Sequence, residues 1–256
     1  MKISIITATY NSAATLVDAM DSVIGQSYPD VEYIIVDGAS YDGTADILEG
    51  YSAFNFKVIS EPDLGIYDAI NKGIRLASGD IVGILNSDDF FADKDVLKRV
   101  ASYFENDSSL DSVYSDVLFV DRDDRFKPLR YYSSKFFTPF MFRFGFQPAH
   151  PTFYVKTKIF RKYGFYRTDL KIAGDFELLL RFLMVKKISS KYVNDLWVKM
   201  RVGGISSSGI RSIVTLNKEI IFACKANEVY TNLFFIYTKY LVKWFGFVMR
   251  GRSRTK

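Results

Sequence analysis

Ile81-Val82-Gly83-Ile84-Leu85-Asn86-Ser87-Asp88-Asp89 is an apolar run that turns abruptly polar and acidic. Its first five residues have the length and continuous apolarity of a strand covered on both faces, as in a parallel sheet. Open α/β sheets bind ligands outside the carboxyl ends of such strands. The reading therefore places Asn86, Ser87, Asp88 and Asp89 at a ligand edge. Carboxylates there suit Mg²⁺ or Mn²⁺, hard cations that take oxygen ligands and share them with substrate phosphates. Asp88 is the assigned metal ligand. Paired aspartates also form turns and helix caps, but Asp37, Asp63 and Asp68 flank other strand candidates in the same half of the chain.

Further strand candidates cover residues 3–8, 33–36 and 56–59, and helical patterns separate them. The first helix starts near Ser12, a capping hydroxyl, and aligns Leu16, Met20, Val23 and Ser27. The second opens at Asp42-Gly43-Thr44 and carries Ile47, Leu48 and Tyr51. The third carries Ile66, Ile70, Ile74 and Ala77 before Gly79. Right-handed crossovers in such a βαβαβαβ series leave the strand carboxyl ends along one edge. An α/β fold follows, with a Rossmann-like, mostly parallel central sheet and flanking helices.

Beyond Asp89, Val96, Leu97, Val100, Tyr103 and Phe104 form a helical stripe, and residues 112–120 read as a strand. Residues 122–146 are charged and aromatic with weak periodicity, an irregular or mobile excursion. A helix is expected over 175–185 and a strand over 193–202. Residues 213–249 read as a helical, aromatic-rich extension. Two units are expected: 1–205, divided into halves 1–90 and 91–205, and the extension 206–256.

Composition narrows the chemistry. A single cysteine, Cys224, excludes an intrachain disulfide and a cysteine-rich zinc site, so no oxidising compartment is required. The lone histidine, His150, excludes histidine-pair zinc motifs; it is either a structural residue or a functional contact. The run Met1-Lys2-Ile3-Ser4-Ile5-Ile6 is too short for a signal-peptide core. Net charge is +5, with basic residues crowded into Arg250-Gly251-Arg252-Ser253-Arg254-Thr255-Lys256. That tail is either solvated or faces an anionic neighbour such as phosphate, nucleic acid or lipid headgroups. Thr7-Ala8-Thr9-Tyr10-Asn11 stands where a G-x-G-x-x-G cradle would follow the first strand, and a P-loop is also missing. A diphosphate would then be met by a metal and basic side chains.

Five stretches, in order, resemble glycosyltransferase family 2 of the GT-A fold. They are Ile5-Ile6-Thr7-Ala8-Thr9-Tyr10-Asn11, Val36-Asp37-Gly38-Ala39-Ser40-Tyr41-Asp42-Gly43-Thr44, Asp63-Leu64-Gly65-Ile66-Tyr67-Asp68-Ala69-Ile70-Asn71-Lys72-Gly73, Asn86-Ser87-Asp88-Asp89 and Ile172-Ala173-Gly174-Asp175-Phe176-Glu177. The resemblance implies an inverting transfer of sugar from a nucleoside diphosphate-sugar, with UDP expected, to a hydroxyl of a glycan or lipid-linked acceptor. It implies donor contacts from Thr7, Thr9, Tyr10, Asp37, Asp68, Lys72, Asn86 and Ser87. Asn86-Ser87-Asp88 resembles the family's D-x-D motif with Asn86 in place of the first aspartate, which removes one negative charge beside the metal. Asp175 resembles the catalytic general base, although as a bare sequence feature it could also cap the following helix. Asp89, His150 and Arg201 with Gly203-Gly204-Ile205-Ser206 are expected near acceptor or phosphates.

The resemblance also implies surface-polysaccharide or lipopolysaccharide synthesis on the cytoplasmic, inner face of the cell membrane. Lys239 and Lys243 disfavour a membrane span in the extension, leaving an interfacial helix over 230–256 or a helix packed on the domain. The phenylalanines at 136, 137, 140, 142, 144 and 146 suit a lid or a lipid surface more simply than nucleic-acid stacking. Two other functions fit the residues: a nucleotidyltransferase, which would release pyrophosphate, and a catalytically silent nucleotide-sugar or membrane-surface binding protein.

Overall fold

The computed structural model describes residues 1–203 and 209–240. Gly204, Ile205 and Ser206 of the expected phosphate loop, and the tail from residue 241 with its basic cluster, lie outside the described residues.

The first strands alternate their side chains between two cores. Ile3 and Ile5 of β1 (Ile3–Thr9) face one cluster, and Ile6 and Ala8 face the other. This is the period-two signature of a strand buried on both faces. β2 (Val31–Asp37), β3 (Lys57–Ser60) and β4 (Ile81–Ile84) complete a parallel block in the order β3-β2-β1-β4. Between them run α1 (Leu16–Ile24), α2 (Thr44–Gly50) and α3 (Ile66–Leu76), close to the expected positions. α3 sits tightly on the sheet, since a Cβ at Gly73 would come within 2.5 Å of Ile6.

Past β4 the sheet becomes mixed. β5 (Asp89–Phe91) leads into α4 (Val96–Asn106), then β6 (Ser112–Val120), β7 (Pro128–Tyr132) and β8 (Tyr154–Lys156). α5 (Thr157–Tyr163), α6 (Gly174–Leu179) with a π-helical turn at Leu180–Val185, and β9 (Ser190–Arg201) follow. The full order is β3-β2-β1-β4-β8-β6-β9-β5, with β7 on β6. β8 pairs antiparallel to β4, and β5 antiparallel to β9. α1 and α4 cover one face of the sheet; α3, α6 and α7 (Ile210–Ala226) cover the other.

Three expectations need correction. Residues 122–146 are not an irregular excursion: β7 pairs antiparallel with β6, and a 3-10 helix spans Pro139–Phe144. Charge and aromatic side chains on an edge strand hid its alternation. Ser12 does not cap α1, which begins four residues later after a turn, and its hydroxyl donates to the Tyr10 carbonyl instead. The helical run from 213 is broken: Glu228 takes φ 57 and Asn227 donates to Glu177 Oε1, so α7 ends before a second helical stretch at 233–240. Within that stretch Ile236 and Lys239 are buried, and Lys239 Nζ donates to Asn217 Oδ1 at 2.9 Å. Among the described residues, no helix is long and apolar enough to cross a membrane.

Candidate active site

The parallel register brings the ends of β1, β2 and β4 to one edge, with Thr9 opposite Asp37 and the Leu85 amide donating to Ile6 O. Thr7 is fully buried, donating to Leu85 O at 2.8 Å and lying 3.1 Å from Tyr33 Oη, so its hydroxyl belongs to the sheet interior. Thr9 is also buried, and its Oγ1 has no hydrogen-bond partner among the described residues. Tyr10 is exposed and meets Tyr41 edge-on at 6.2 Å, a pair of rings open to solvent beside the edge. Asp37 is 1% exposed and accepts from Ser40 N, Ser40 Oγ and Ser60 Oγ. Those bonds hold a loop in which Ala39 adopts φ 61, a left-handed conformation costly for alanine. Asp68 accepts from the Leu64 amide, and Lys72 pairs with Glu61 at 2.8 Å. These two residues brace the start of α3 rather than joining the acidic centre.

At that centre Asn86, Ser87 and Asp88 are half-buried, and Asp89 is buried. Ser87 Oγ meets Ser12 Oγ at 2.9 Å, tying the β4 end to the β1 loop. Asn86 Nδ2 donates to Asp89 Oδ2 at 2.9 Å and lies 3.3 Å from His150 Nε2. Burial raises the carboxyl of Asp88, against the pull of Arg201, His150 and Arg122. Burial, then the neighbouring Asp88 charge, holds Asp89 well above the carboxylate range. Adjacent carboxyls raised in this way form a site whose charge a cation would relieve. Among the described residues no group of three or more His, Cys, Asp or Glu side chains is arranged to hold a metal. The Asp88 and Asp89 carboxyls beside the Asn86 amide supply oxygen atoms of the kind a hard divalent cation takes. Arg201 is buried, donates to the Asp88 carbonyl at 2.9 Å, pairs with Asp18 and lies over the Phe90 ring. It buttresses the acidic turn.

Asp175 stands in the first turn of α6. Its Oδ2 accepts from Gln147 Nε2 at 2.7 Å and lies 3.1 Å from His150 Nδ1. Burial opposes ionisation of Asp175, but the charge and hydrogen bond of His150 and the Gln147 amide hold its carboxyl below the usual range. Burial likewise opposes protonation of His150, yet Asp175, Asp89 and Asp88 raise it. The histidine thus spans the two acidic groups, reaching Asn86 with one nitrogen and Asp175 with the other.

Two contacts present this carboxylate. Tyr67 Oη donates to Ile172 O at 2.6 Å, and the Tyr67 ring stacks on Tyr166 at 5.7 Å. Glu219 of α7 accepts from the amides of Lys171, Ile172 and Ala173 at 2.9, 2.8 and 2.8 Å. The structure so links Asn86, Asp89, His150 and Asp175 in one chain of contacts, while Thr7, Asp68 and Lys72 lie outside it. Gln147, Glu219 and Asp18 were missed in the sequence. Gln147 lies three residues before His150, the only local signal; Glu219 and Asp18 reach the site solely through tertiary packing.

Comparison with known proteins bears on the family and the fold. The glycosyl transferase family 2 profile matches residues 4–167. A PGL/p-HBAD biosynthesis glycosyltransferase of Mycobacterium bovis is 28% identical over 194 residues, covering 75% of this chain and 73% of the relative. An uncharacterised glycosyltransferase of Mycobacterium tuberculosis is 30% identical over 187 residues, 72% of this chain and 69% of that protein. Among solved structures, S. aureus TarS 1–349 in complex with UDP-GlcNAc is similar in fold, with TM-score 0.67, 21% identity, and coverage of 87% of this chain and 66% of that one. The mannosyltransferase PcManGT of Pyrobaculum calidifontis, in complex with GDP-Man and Mn²⁺, gives TM-score 0.63 at 17% identity, covering 86% and 64%. The chain thus spans about two thirds of the length of these solved relatives. The fold is of the GT-A type, and with a family profile matched from β1 to beyond α5, the chain belongs to glycosyl transferase family 2.

Proposed function

We propose that the chain inverts the anomeric carbon of a nucleoside diphosphate-sugar, transferring the sugar to a hydroxyl of a glycan or lipid-linked acceptor. The observation that carries this reading is the Asp175 carboxylate, held at Oδ2 by Gln147 and His150, with no side-chain donor on Oδ1 among the described residues. An acceptor hydroxyl bonded to Oδ1 would be aligned and made more nucleophilic. As the acceptor oxygen bonds to the anomeric carbon, the bond from that carbon to the diphosphate breaks and the hydroxyl proton passes to Asp175. His150 stabilises the ionised base beforehand. Asn86 and Asp88 frame the diphosphate, and Tyr10 and Tyr41 offer a stacking surface to the base. UDP is the expected nucleotide. A divalent cation, Mn²⁺ or Mg²⁺, when bound at Asp88 would offset the charge on the leaving diphosphate. Relatives bound to UDP-GlcNAc and to GDP-Man with Mn²⁺ support this donor class.

The division into a catalytic unit 1–205 and an extension 206–256 belongs to the same proposal, with α7 bracing the base. So does peripheral attachment to the inner face of a membrane, in the setting of surface-polysaccharide or lipopolysaccharide synthesis. Phe140, Tyr230, Leu233 and Phe234 are exposed, and ring contacts join Phe140 to Phe144, Phe144 to Phe235 and Phe235 to Phe234. Arg143 lies over Phe140, giving this aromatic surface a cation of the kind that suits lipid headgroups.

Product analysis with UDP-GlcNAc and GDP-mannose in Mn²⁺ tests the activity. Release of nucleoside diphosphate without pyrophosphate, lost in Asp175→Asn while nucleotide binding persists, is the expected result. Pyrophosphate release from a nucleoside triphosphate would replace it with a nucleotidyltransferase, and binding without turnover with a silent binding protein.

A further inference from the structure

We infer that Gln147 is a positioning residue, orienting the Asp175 carboxylate so that Oδ1 meets the acceptor; this rests on the general-base reading above. Its Nε2 donates to Asp175 Oδ2 at 2.7 Å. The other end of the same amide, Oε1, is buried and has no hydrogen-bond partner among the described residues. A buried carbonyl oxygen without a donor has lost its hydration and gained nothing in exchange. Turning the amide over would not relieve this, because its oxygen would then oppose the Asp175 carboxylate. A side chain present only to pack this space would be apolar. The unpaired oxygen is therefore the accompaniment of a nitrogen placed for Asp175.

The backbone around Gln147 is fixed to suit. Tyr132 at the end of β7 donates its hydroxyl to Gln147 O at 2.6 Å. Buried Pro148 follows and restricts Gln147 to extended conformations. His150 meets the same Oδ2 at 3.1 Å. Two side-chain donors converging on one oxygen restrain rotation of the carboxylate about its Cβ–Cγ bond, which a single donor would leave freer. The hairpin carrying β7 thus serves the base through Gln147.

The test is Gln147→Met, similar in length and without polar atoms, compared with wild type and Asp175→Asn. One readout needs no substrate. His150 is the only histidine, so its imidazole signals in proton–nitrogen NMR are free of overlap. Loss of the competing amide should strengthen the His150 bond to Oδ2 and move the Nδ1 proton downfield. The second readout is turnover of UDP-GlcNAc or GDP-mannose in Mn²⁺, with UDP and GDP affinity and Tm measured alongside. We expect kcat to fall roughly 10- to 100-fold, as for a reacting group displaced by about an ångström. Nucleotide affinity should stay within about two-fold of wild type, and Tm should change little, because losing the bond to Asp175 and removing the unpaired oxygen act in opposite directions.

An unmoved Nδ1 signal, or wild-type kcat, would overturn the inference. A fall in kcat accompanied by lower Tm and weaker nucleotide binding would overturn it too, since that marks a structural residue. Turnover retained in Asp175→Asn would instead remove the general-base reading on which the inference stands.

Discussion

At the residue scale, Asn86 shows how a departure from a motif was readable as chemistry but not as structure. The sequence placed an amide where a second carboxylate was expected, and the loss of charge beside Asp88 followed at once. Its second job did not follow: the amide donates to Asp89 and reaches His150, which in turn meets Asp175. Asn86→Asp should therefore have two opposed effects. Added charge should tighten Mn²⁺ binding by roughly tenfold or more. Replacing a donor by a third carboxylate should lower Tm in chelator. Thermal unfolding with UDP across a Mn²⁺ titration reads both effects, and equal Tm values without metal would contradict the bridging role. Asp37 teaches the converse. Its strand-end position was legible, whereas its commitment to Ser40 and Ser60 depends on a loop closure that no spacing announces.

At the element scale, the parallel block was legible because each strand is a short apolar run and each crossover has an apolar stripe at helical period. β7 was not, since an edge strand exposed along Pro128–Tyr132 lacks that contrast. The break after α7 was equally hidden, resting on the backbone turn at Glu228. α6 shows what close element contact demands. A Cβ at Gly174 would lie 2.6 Å from the Tyr67 ring, which is buried and stacked on Tyr166. Gly174→Ala should cost about 1–3 kcal/mol by overpacking, lowering Tm by roughly 2 to 12 °C in a chain of this size. Because α3 and α6 meet there, the same substitution should depress turnover by shifting Asp175. Calorimetry with a donor assay checks both; an unchanged Tm would mean that the Tyr67 ring yields freely.

At the scale of the whole molecule, charge and surface set the conditions under which the fold operates. Glu32 lies at the sheet end opposite the site, accepting from Ser4, Ser78 and Lys57. Burial works to raise its carboxyl, but the bonds from Lys57, Ser4 and Ser78 hold it far below the ordinary value. A carboxyl depressed by folding adds stability above its unfolded value, near ~4.3, and loses that contribution as pH falls toward the folded value. Glu32→Gln should accordingly unfold at a lower temperature than wild type at pH 7, with the gap narrowing from pH 5 toward pH 3; a constant gap would refute the linkage. On the outer surface, Phe140→Glu with Phe234→Glu should reduce cosedimentation with anionic vesicles and leave UDP affinity unchanged. Undiminished binding would move membrane contact away from the aromatic surface. Glu219 draws these scales together. Three amides just ahead of Asp175 hang from one side chain of α7, beyond the residues matched by the family profile. Asp175 is thus adjusted from outside the sheet, as a set-screw fixes a gap: relatives sharing every donor residue could differ in rate through the seating of one distant helix.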